Sequence, residues 1–256
     1  MAQAPAAAAR VSARMRVGVI SDVHANAHAL EAVLRELDRE HPDAVWSLGD
    51  VVGYGPRPNP CCTRVAARAD VALAGNHDLG VLGKIDLADF SPDAATSAVW
   101  TRTVLSEESR SYLASLDPAA RADGVELFHA SASDPVWDYV LSGEAALETL
   151  ELTRAPVVLV GHSHLALCVL LAGGVLSGGL APAGTQVDLG AGRWLLNPGS
   201  VGQPRDGDPR AAYLLLDLEA GRAVFQRVEY DLERTQAELR ERGLPEALAE
   251  RLARGV

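Results

Sequence analysis

Two histidines, His162 and His164, stand one residue apart directly after the apolar run VVLV. Polar residues follow four other apolar runs in the same way: DVH at 22–24, GD at 49–50, GNHD at 75–78 and His129 after VELF. Each segment alone is typical of an ordinary turn or helix N-terminus. Together they predict one site, because open α/β sheets place their ligands at the carboxyl ends of the strands.

The residue types at these strand ends indicate a metal centre. Five of the seven histidines of the chain lie there beside aspartates, and burying such a mixture without a cation costs free energy. His, Asp and Asn ligands without a thiolate suit Mn, Fe, Zn, Co or Ni. The number of ligands predicts two ions, since one aspartate can bridge two metals about 3.5–4 Å apart. We therefore expect two divalent transition-metal ions, with Mn favoured.

Strands and helices that could hold these residues alternate along the first two thirds of the chain. The predicted strands are RVGVIS, AVWSL, VALA, VELFHA and VVLV. A helix is expected to end near His41-Pro42, and others to start at Ser91-Pro92 and Ser106-Glu107. Asn59 is the expected N-cap of a further helix, with Pro60 as its first residue.

The texture of the sequence changes after Leu165. Apolar runs separated by Gly-rich turns predict a mainly antiparallel half, and the charged stretch 231–254 predicts helix divided by Pro245. No linker cuts the chain in two. We therefore expect a single domain over residues 16–256, preceded by a loosely ordered Ala-rich tail over residues 1–15.

Composition limits the partners and the compartment. The chain has 256 residues and a formal net charge of −11, which disfavours a stable complex with nucleic acid or with an anionic membrane surface. No apolar run approaches the ~20 residues that span a bilayer, and the N-terminal stretch lacks a signal-peptide core. Three cysteines without CxxC spacing favour a reducing compartment. A cytoplasmic protein is expected, and its oligomeric state is not predicted.

The five polar segments, in this order, resemble the calcineurin-like metallophosphoesterase superfamily, whose pattern is DxH, GD, GNH[DE], a lone His and GHxH. The resemblance spans residues 16 to about 230. It implies a four-layer α/β/β/α sandwich of two mixed β-sheets flanked by helices. It also implies two ligand sets that share Asp50. One metal would be held by Asp22, His24, Asp50 and His164, and the other by Asp50, Asn76, His129 and His162.

The resemblance further implies hydrolysis of a phosphoester by a hydroxide that bridges the two metals. Two cations neutralise the phosphate oxygens and lower the pKa of the attacking water. His77 stands next to a ligand without being one, and is the expected general acid for the leaving group. Asp78 could fix the tautomer of His77 or cap the segment that follows, and the structural role is slightly favoured.

One departure from the family pattern bears on the substrate. Protein serine/threonine phosphatases carry GDxxDRG, whereas GDVVGYGP places Gly53 and Tyr54 at the positions of the later Asp and the Arg. This disfavours a protein phosphatase. The GDxVGYGP and NPGS segments resemble a bacterial and archaeal branch of predicted phosphoesterases related to diadenosine tetraphosphatases. Asn197–Ser200 is expected to form a tight turn beside the site.

The expected substrate is a small phosphoester, with a phosphodiester favoured over a phosphomonoester. A diester needs less neutralisation, and Tyr54 could pack against its second organic group. Asn26 and Tyr54 are candidate wall residues. Arg205 is a candidate phosphate ligand, although a surface salt bridge is the favoured role for it.

Other functions are possible on the same fold. A non-catalytic metal-binding scaffold would be expected to lack the acid His or several ligands, and this chain keeps them all. A dinucleoside polyphosphate or protein phosphatase-type hydrolase is an alternative enzyme class. A nuclease would need a basic groove, and a single-zinc hydrolase would need fewer ligands. Cys61 and Cys62 have no predicted role beyond the first turn of a partly buried helix.

Overall fold

Twelve strands and eight α-helices follow one another in residues 15–256, the part of the chain that the computed structural model describes. The first half contains β1 (Arg16–Ile20), α1 (Ala27–Glu40), β2 (Ala44–Ser47), α2 (Pro58–Arg68), β3 (Val71–Ala72), α3 (Asn76–Leu82), α4 (Pro92–Val104), α5 (Glu107–Ala114), β4 (Ala119–Ala122) and β5 (Val125–Phe128). The second half contains α6 (Gly143–Leu152), β6 (Val157–Leu159), β7 (Ala166–Ala172), β8 (Val175–Leu180), β9 (Gln186–Asp188), β10 (Arg193–Pro198), β11 (Ala211–Asp217), β12 (Arg222–Val228), α7 (Leu232–Glu241) and α8 (Glu246–Arg254).

The strands form two six-stranded mixed sheets. The first sheet has the order β3-β2-β1-β11-β12-β9, with β1, β2 and β3 parallel and the other pairs antiparallel. The second has the order β4-β5-β6-β10-β7-β8, with β5, β6 and β10 parallel. Both sheets are therefore mixed, as predicted.

Alternate residues of the central strands point to opposite faces of the sheet and pack in two different apolar clusters. In β6, Val157 and Leu159 pack between the sheets, whereas Val158 packs against the helix side. Strands covered on both faces are expected to read as continuous apolar runs. Gly18 in β1 shows how close the layers come, because a Cβ there would lie 2.5 Å from a methyl of Leu37 in α1.

Three apolar clusters separate the layers. One lies between the first sheet and helices α1, α2, α4 and α5, one lies between the sheets, and one lies between the second sheet and α6. This is the predicted four-layer α/β/β/α sandwich. A fourth cluster joins α7 and α8 to Tyr54 and α4, so the C-terminal helices brace a loop that follows β2.

Several predicted elements differ from the observed ones. The strands after Leu165 do not form one half: β7, β8 and β10 belong to the second sheet, and β9, β11 and β12 to the first. Apolar periodicity identifies a strand but not its partner. The helix α2 begins at Pro58 with Arg57 as its N-cap, not at Asn59-Pro60, since Asn59 instead bonds the backbone of Val104 and Ser106. The short helix α3 was not predicted.

The start of the chain is described only from Met15. The predicted tail over residues 1–15 therefore lies outside the described residues except for Met15, whose carbonyl accepts a hydrogen bond from the Leu218 N–H at 3.0 Å. Within residues 15–256, no helix combines the length and the apolar character that a membrane-spanning segment requires.

Candidate metal centre

The loops after β1, β2, β5 and β6 and the N-terminus of α3 meet at one edge of the two sheets. They bring together all seven predicted metal ligands, and each of these is at most 4% exposed. The backbone joins the loops directly, because the N–H groups of Asp22 and His24 donate to the carbonyls of Gly49 and Asp50. The structure thus places the predicted ligands side by side in the interior.

Four of these residues form a first group: Asp22, His24, Asp50 and His164. Each offers one ligand atom, and these atoms all lie within 4.8 Å of one another. Nε2 of His164 is 3.3 Å from Oδ1 of Asp22, and Nε2 of His24 is 3.5 Å from Oδ2 of Asp50. The spacing is that of side chains able to contact one common ion.

A second group consists of Asp50, His129 and His162. Oδ2 of Asp50 lies 3.6 Å from Nε2 of His129, and the same nitrogen lies 3.2 Å from Oδ1 of Asn76. The oxygen of Asp50 that faces His24 therefore also faces the second group. This is the shared position that the ligand pattern predicted.

Backbone carbonyls fix the tautomers of the imidazoles. Nδ1 of His24, His129 and His164 donates to the carbonyls of Val52, Leu48 and Gln203, at 3.1, 2.8 and 2.6 Å. His162 instead donates from Nε2 to the carbonyl of Trp137, at 3.1 Å. A carbonyl only accepts, so the other ring nitrogen of each histidine keeps its lone pair for a metal.

The carboxylates also fit a cation. Oδ1 of Asp22 and Oδ2 of Asp50 are buried and have no hydrogen-bond partner among the described residues. Their other oxygens are satisfied, since Ser21 Oγ donates to Asp22 and the His77 N–H donates to Asp50. A buried, unpaired carboxylate oxygen costs free energy. Two such oxygens, aimed into the same imidazole cluster, are the donor set that a pair of divalent ions would satisfy.

The pKa values of the ligand residues also indicate a site that a cation would stabilise. Burial and the negative charges of Asp78 and Asp22 raise the pKa of Asp50 well above its ordinary value. Burial lowers the pKa of His162 to about 3 and, with the charge of Arg205, that of His164 to about 4. For Asp22, burial is outweighed by His164, and its pKa falls. The histidines are therefore neutral near pH 7, the form in which they bind metals.

The backbone at the ligands is strained. Nine non-glycine residues in 15–256 have positive φ, and five of them are predicted ligands: Asp22, His24, Asp50, His162 and His164. Their φ values lie between 48° and 62°, a region that L-residues enter at a cost of roughly 1–3 kcal/mol each. Such outliers cluster at functional sites, where surrounding contacts hold them.

His77, the predicted acid, lies beside the ligand groups. Its ring is 4.9 Å from that of His24, 4.3 Å from Tyr54 and 5.0 Å from Phe90, measured between centroids. Nδ1 of His77 is buried and has no partner among the described residues. Gly53 lies against it, and a Cβ at that position would approach Nδ1 to 2.4 Å. No carboxylate among the described residues orients this imidazole.

Asp78 has the structural role that the sequence slightly favoured. Its carboxylate accepts hydrogen bonds from the N–H groups of Val51, Val52 and Gly75, at 3.2, 3.0 and 2.9 Å. It does not contact Nδ1 of His77. Asp78 thus connects the start of α3 to the loop that carries Asp50. Burial raises the pKa of Asp78 to about 6.

The three predicted substrate residues differ in their surroundings. Asn26 is 1% exposed and fully engaged: Oδ1 accepts from the N–H of Ala29 and the hydroxyl of Thr235, and Nδ2 donates to Gly202. These hydrogen bonds hold Asn26 as the N-cap of α1, and its contact with a substrate stays a prediction.

Tyr54 and Arg205 form a pair at the wall of the site. Tyr54 is 8% exposed, so its ring has little surface for packing against a substrate, contrary to the expectation. Nη2 of Arg205 donates to the Tyr54 hydroxyl at 3.3 Å and to Oε1 of Gln203 at 3.0 Å. Nε of Arg205 has no partner, and no carboxylate of the described residues pairs with this guanidinium. The alternative of a surface salt bridge is therefore wrong.

Three aromatic residues and the backbone carbonyls that hold the imidazoles were not predicted. The ring of Trp137 is 5.1 Å from Phe90, and the ring of Tyr139 stacks on His162 at 4.0 Å. Gln203 holds His164 through its backbone. The aromatic residues lie outside the polar segments, and a backbone carbonyl leaves no mark on the sequence. Where a tight turn was predicted at 197–200, Asn197 and Pro198 still belong to β10, and the chain leaves the strand at Gly199 with φ 80°. Asn197 donates to the Gly161 carbonyl at 2.7 Å.

Known proteins resemble this chain in sequence and in fold. The calcineurin-like phosphoesterase superfamily domain matches residues 15–221. An uncharacterized protein from Methanocaldococcus jannaschii is 34% identical over 244 residues, which are 93% of this chain and 98% of that protein. The crystal structure of a metallophosphoesterase from Sphaerobacter thermophilus has a TM-score of 0.86 and 41% identity, covering 95% of this chain and 100% of that one.

A more distant structure shares the fold. It is a chain provisionally assigned as a diadenosine tetraphosphatase, with a TM-score of 0.52 and 16% identity, covering 85% of this chain and 96% of that one. The match of the superfamily domain to most of the chain agrees with the order of the ligand segments and with the two convergent ligand groups. The chain therefore belongs to the calcineurin-like phosphoesterase superfamily.

Proposed function

We propose that this protein is a two-metal hydrolase of phosphoesters that favours small phosphodiesters, with Mn²⁺ as the preferred metal. The observation that carries the proposal is the pair of buried ligand groups that share Asp50. The net charge of −11 supports a small phosphoester rather than a nucleic acid as the ligand. Oxygen and nitrogen donors without thiolate are compatible with Mn²⁺.

In the proposed reaction, the oxygen of water forms a bond to phosphorus, one P–O ester bond breaks, and the leaving oxygen takes up a proton. Two bound cations would supply neutralisation of the phosphate oxygens and a lower pKa of the attacking water. The chain supplies the anionic oxygens of Asp22 and Asp50 and the neutral imidazoles that hold these cations. The enclosing loops keep all of these groups away from bulk water.

His77 would donate the proton to the leaving oxygen. It lies next to the ligand His24 and has no metal-ligand position of its own in either group. Burial lowers the pKa of free His77 well below its ordinary value, and a bound phosphate anion acts in the opposite direction. The imidazole would thus become a better proton carrier when the substrate is present.

Arg205 would contact the phosphate. It lies close to the ligand groups, because its backbone N–H donates to the carbonyl of the ligand His164 at 3.3 Å. A guanidinium beside two metal cations and without a carboxylate is repelled until an anion binds. The Tyr54 hydroxyl and Gln203 hold this guanidinium in place. Tyr54 would therefore act as a positioning residue for Arg205.

The preference for a diester follows from the position of Gly53 and Tyr54. They stand where protein phosphatases carry an Asp that supports the catalytic His and an Arg that grips a dianion. A phosphodiester carries one negative charge, which the single guanidinium of Arg205 can match. A monoester dianion needs more neutralisation than these residues provide.

Metal analysis together with matched substrates tests the proposal. Reconstituted protein should contain two Mn²⁺ per chain and should show a higher kcat/KM for an aryl phosphodiester than for the matched aryl monoester. Arg205→Ala should raise KM about 10–100-fold, the effect of losing a charge-assisted hydrogen bond. Arg251→Ala is the control, because this arginine also lies near the Tyr54 ring but donates to the Val256 carbonyl. A clear monoester preference would contradict the diester proposal and leave the metal centre intact.

A further inference from the structure

An apolar groove adjoins the metal centre on the outer face of the second sheet. Its volume is about 370 Å³, within the range of small-molecule sites. The floor is the β7–β8 hairpin, and the segment 140–143 with the start of α6 forms the opposite wall. The groove is separate from the narrow space between Tyr54 and the C-terminal helices, whose volume is only about 10 Å³.

The pairing of β7 with β8 explains the shape of the groove. Leu167 pairs with Leu180 and Val169 pairs with Gly178, so these four residues share one face of the hairpin. Because Gly178 has no side chain, the floor of the groove is depressed where Gly178 pairs with Val169. Leu180 and Leu141 are both 61% exposed at the rim, an exposure of large apolar side chains that often marks a binding surface.

The wall of the groove lies next to the metal centre along the chain at two points. Leu165, in the groove wall, directly follows the ligand His164. Val140, in the opposite wall, directly follows Tyr139, whose ring stacks on the ligand His162 at 4.0 Å. Because consecutive Cα atoms are about 3.8 Å apart, one wall of the groove starts next to a metal ligand and the other next to a ring that contacts a metal ligand.

The lining chemistry limits what the groove can take. No charged side chain lines it in the part of the chain that the structure describes, and its polar side chains are two serines, Ser142 and Ser177. A second phosphate, a carboxylate or a charged peptide would lose its hydration there without a compensating partner. Alkyl and aryl groups would gain from burial.

We infer that this groove binds an apolar substituent of the phosphodiester, so that the substrate is a diester with one alkyl or aryl arm. The inference rests on the proposed function for the position of the phosphate. Tyr139, which is 46% exposed, lies between the metal centre and the groove. The substrate class is thereby narrowed from phosphodiesters in general to those with an apolar arm.

A series of 4-nitrophenyl phosphodiesters with methyl, butyl and hexyl groups tests this with the Mn²⁺-loaded protein. The kcat/KM should rise with chain length, by up to about fourfold for each methylene that is buried. Leu180→Asp places a charge in the groove and should lower the hexyl-to-methyl ratio of kcat/KM towards one. Val175→Asp is the matched control: Val175 is 66% exposed on the same strand but does not line the groove, so the ratio should stay high.

Binding of hexyl(methyl)phosphinate, measured by calorimetry against dimethylphosphinate, gives a readout without turnover, because neither anion has a P–O ester bond. The hexyl compound should bind more tightly, and Leu180→Asp should remove the difference. Hydrolysis without any dependence on chain length would overturn the groove and leave the proposed function standing. Tighter hexyl binding without hydrolysis of any ester would support the groove and contradict the proposed function.

A second copy of the chain could instead cover the edge strand β8, and size-exclusion chromatography with light scattering reports this. If Leu180→Asp turned a dimer into a monomer while the hexyl-to-methyl ratio stayed unchanged, the groove would be an interface between copies and the inference would be wrong. A chain of unchanged size with a collapsed ratio would support the inference.

Discussion

The metal centre and a cluster around Glu238, both within the described residues, are satisfied in opposite ways. Around Glu238 of α7, the carboxylate accepts from Nε of Arg57 at 2.5 Å, from Nη2 of Arg57 at 2.6 Å and from Nε2 of His28 at 3.1 Å. At the metal centre, Asp22 and Asp50 each keep a buried oxygen without a partner. One cluster is complete within the chain, and the other needs a cation.

The Glu238 cluster stabilises the fold, whereas the metal centre is arranged to bind a ligand. The Glu238 cluster joins the C-terminal helix α7 to α1 and to the loop before α2, and its ion pairs lower the pKa of Glu238 to about 2. The metal centre instead raises the pKa of Asp50 through burial and like charges. A paired carboxylate stabilises the fold, whereas an unpaired one destabilises it until a ligand arrives.

The substitution Asp50→Asn should have the largest effect, because it removes the carboxylate that both ligand groups share. We expect loss of metal from both groups and a fall in kcat/KM of at least about 10³-fold, because metal ions contribute several kcal/mol of charge stabilisation. Plasma emission spectrometry of the purified variant gives the metal content. An anomalous-scattering map that showed one metal in fully loaded wild type would contradict the shared role of Asp50.

His77→Ala separates the chemistry from the metal binding. Both metals should stay bound, and esters with poor leaving groups should be hydrolysed about 10²–10⁴-fold more slowly, as expected for loss of a general acid. A nitrophenyl ester should lose less, because its leaving group hardly needs the proton. Equal losses for both substrate classes in steady-state assays would reassign His77 to substrate positioning.

Adding metal should convert the incomplete cluster into a stabilising one. Free Mn²⁺ at about 1,000 times its Kd should add about 4 kcal/mol to the free energy of unfolding of the wild type. Asp50→Asn should gain little from metal, yet without metal it should be more stable than the wild type, since a buried unpaired charge is removed. Calorimetric melting with and without chelator measures both. A metal-free Asp50→Asn less stable than metal-free wild type would contradict the electrostatic contrast.

Glu238→Gln should have the smallest effect, a loss of about 1–3 kcal/mol of unfolding free energy at pH 7. The pKa of Glu238 falls from an ordinary value of 4.5 to about 2 on folding, so the stabilisation is fully present above about pH 4.5. It is lost as the pH falls towards 2. Urea melts across this range should therefore show the two proteins converging.

Glu246→Gln is the matched control, because Glu246 pairs with Arg240 on the surface and both side chains are about half exposed. Its unfolding curve should coincide with that of the wild type. If Glu238→Gln behaved in the same way, the cluster around Glu238 would not be the stabilising counterpart of the metal centre.

The resemblance of the five polar segments to a known superfamily implied the four-layer fold, and the residue types after the apolar runs predicted that these side chains converge. Apolar runs followed by Asp, His or Asn identify strand ends, and the carboxyl ends of open α/β sheets are where ligands bind. A polar residue near a site can equally serve as a helix cap, and only the hydrogen bonds of Asn26 to Ala29 and Gly202 show that it caps α1. Likewise, the sequence does not show that Tyr54 is buried under the C-terminal helices.

What the sequence alone determined is therefore the residue types that follow the apolar runs and the strands that carry them, because both appear as local patterns of residue type. Only the tertiary structure decided which sheet receives each late strand, which carboxylate oxygen stays unpaired, and where Arg205 lies. These depend on contacts between segments far apart in the chain: Arg205 reaches Tyr54 across 151 positions. Local patterns specify elements, whereas distances between side chains arise only when the elements pack.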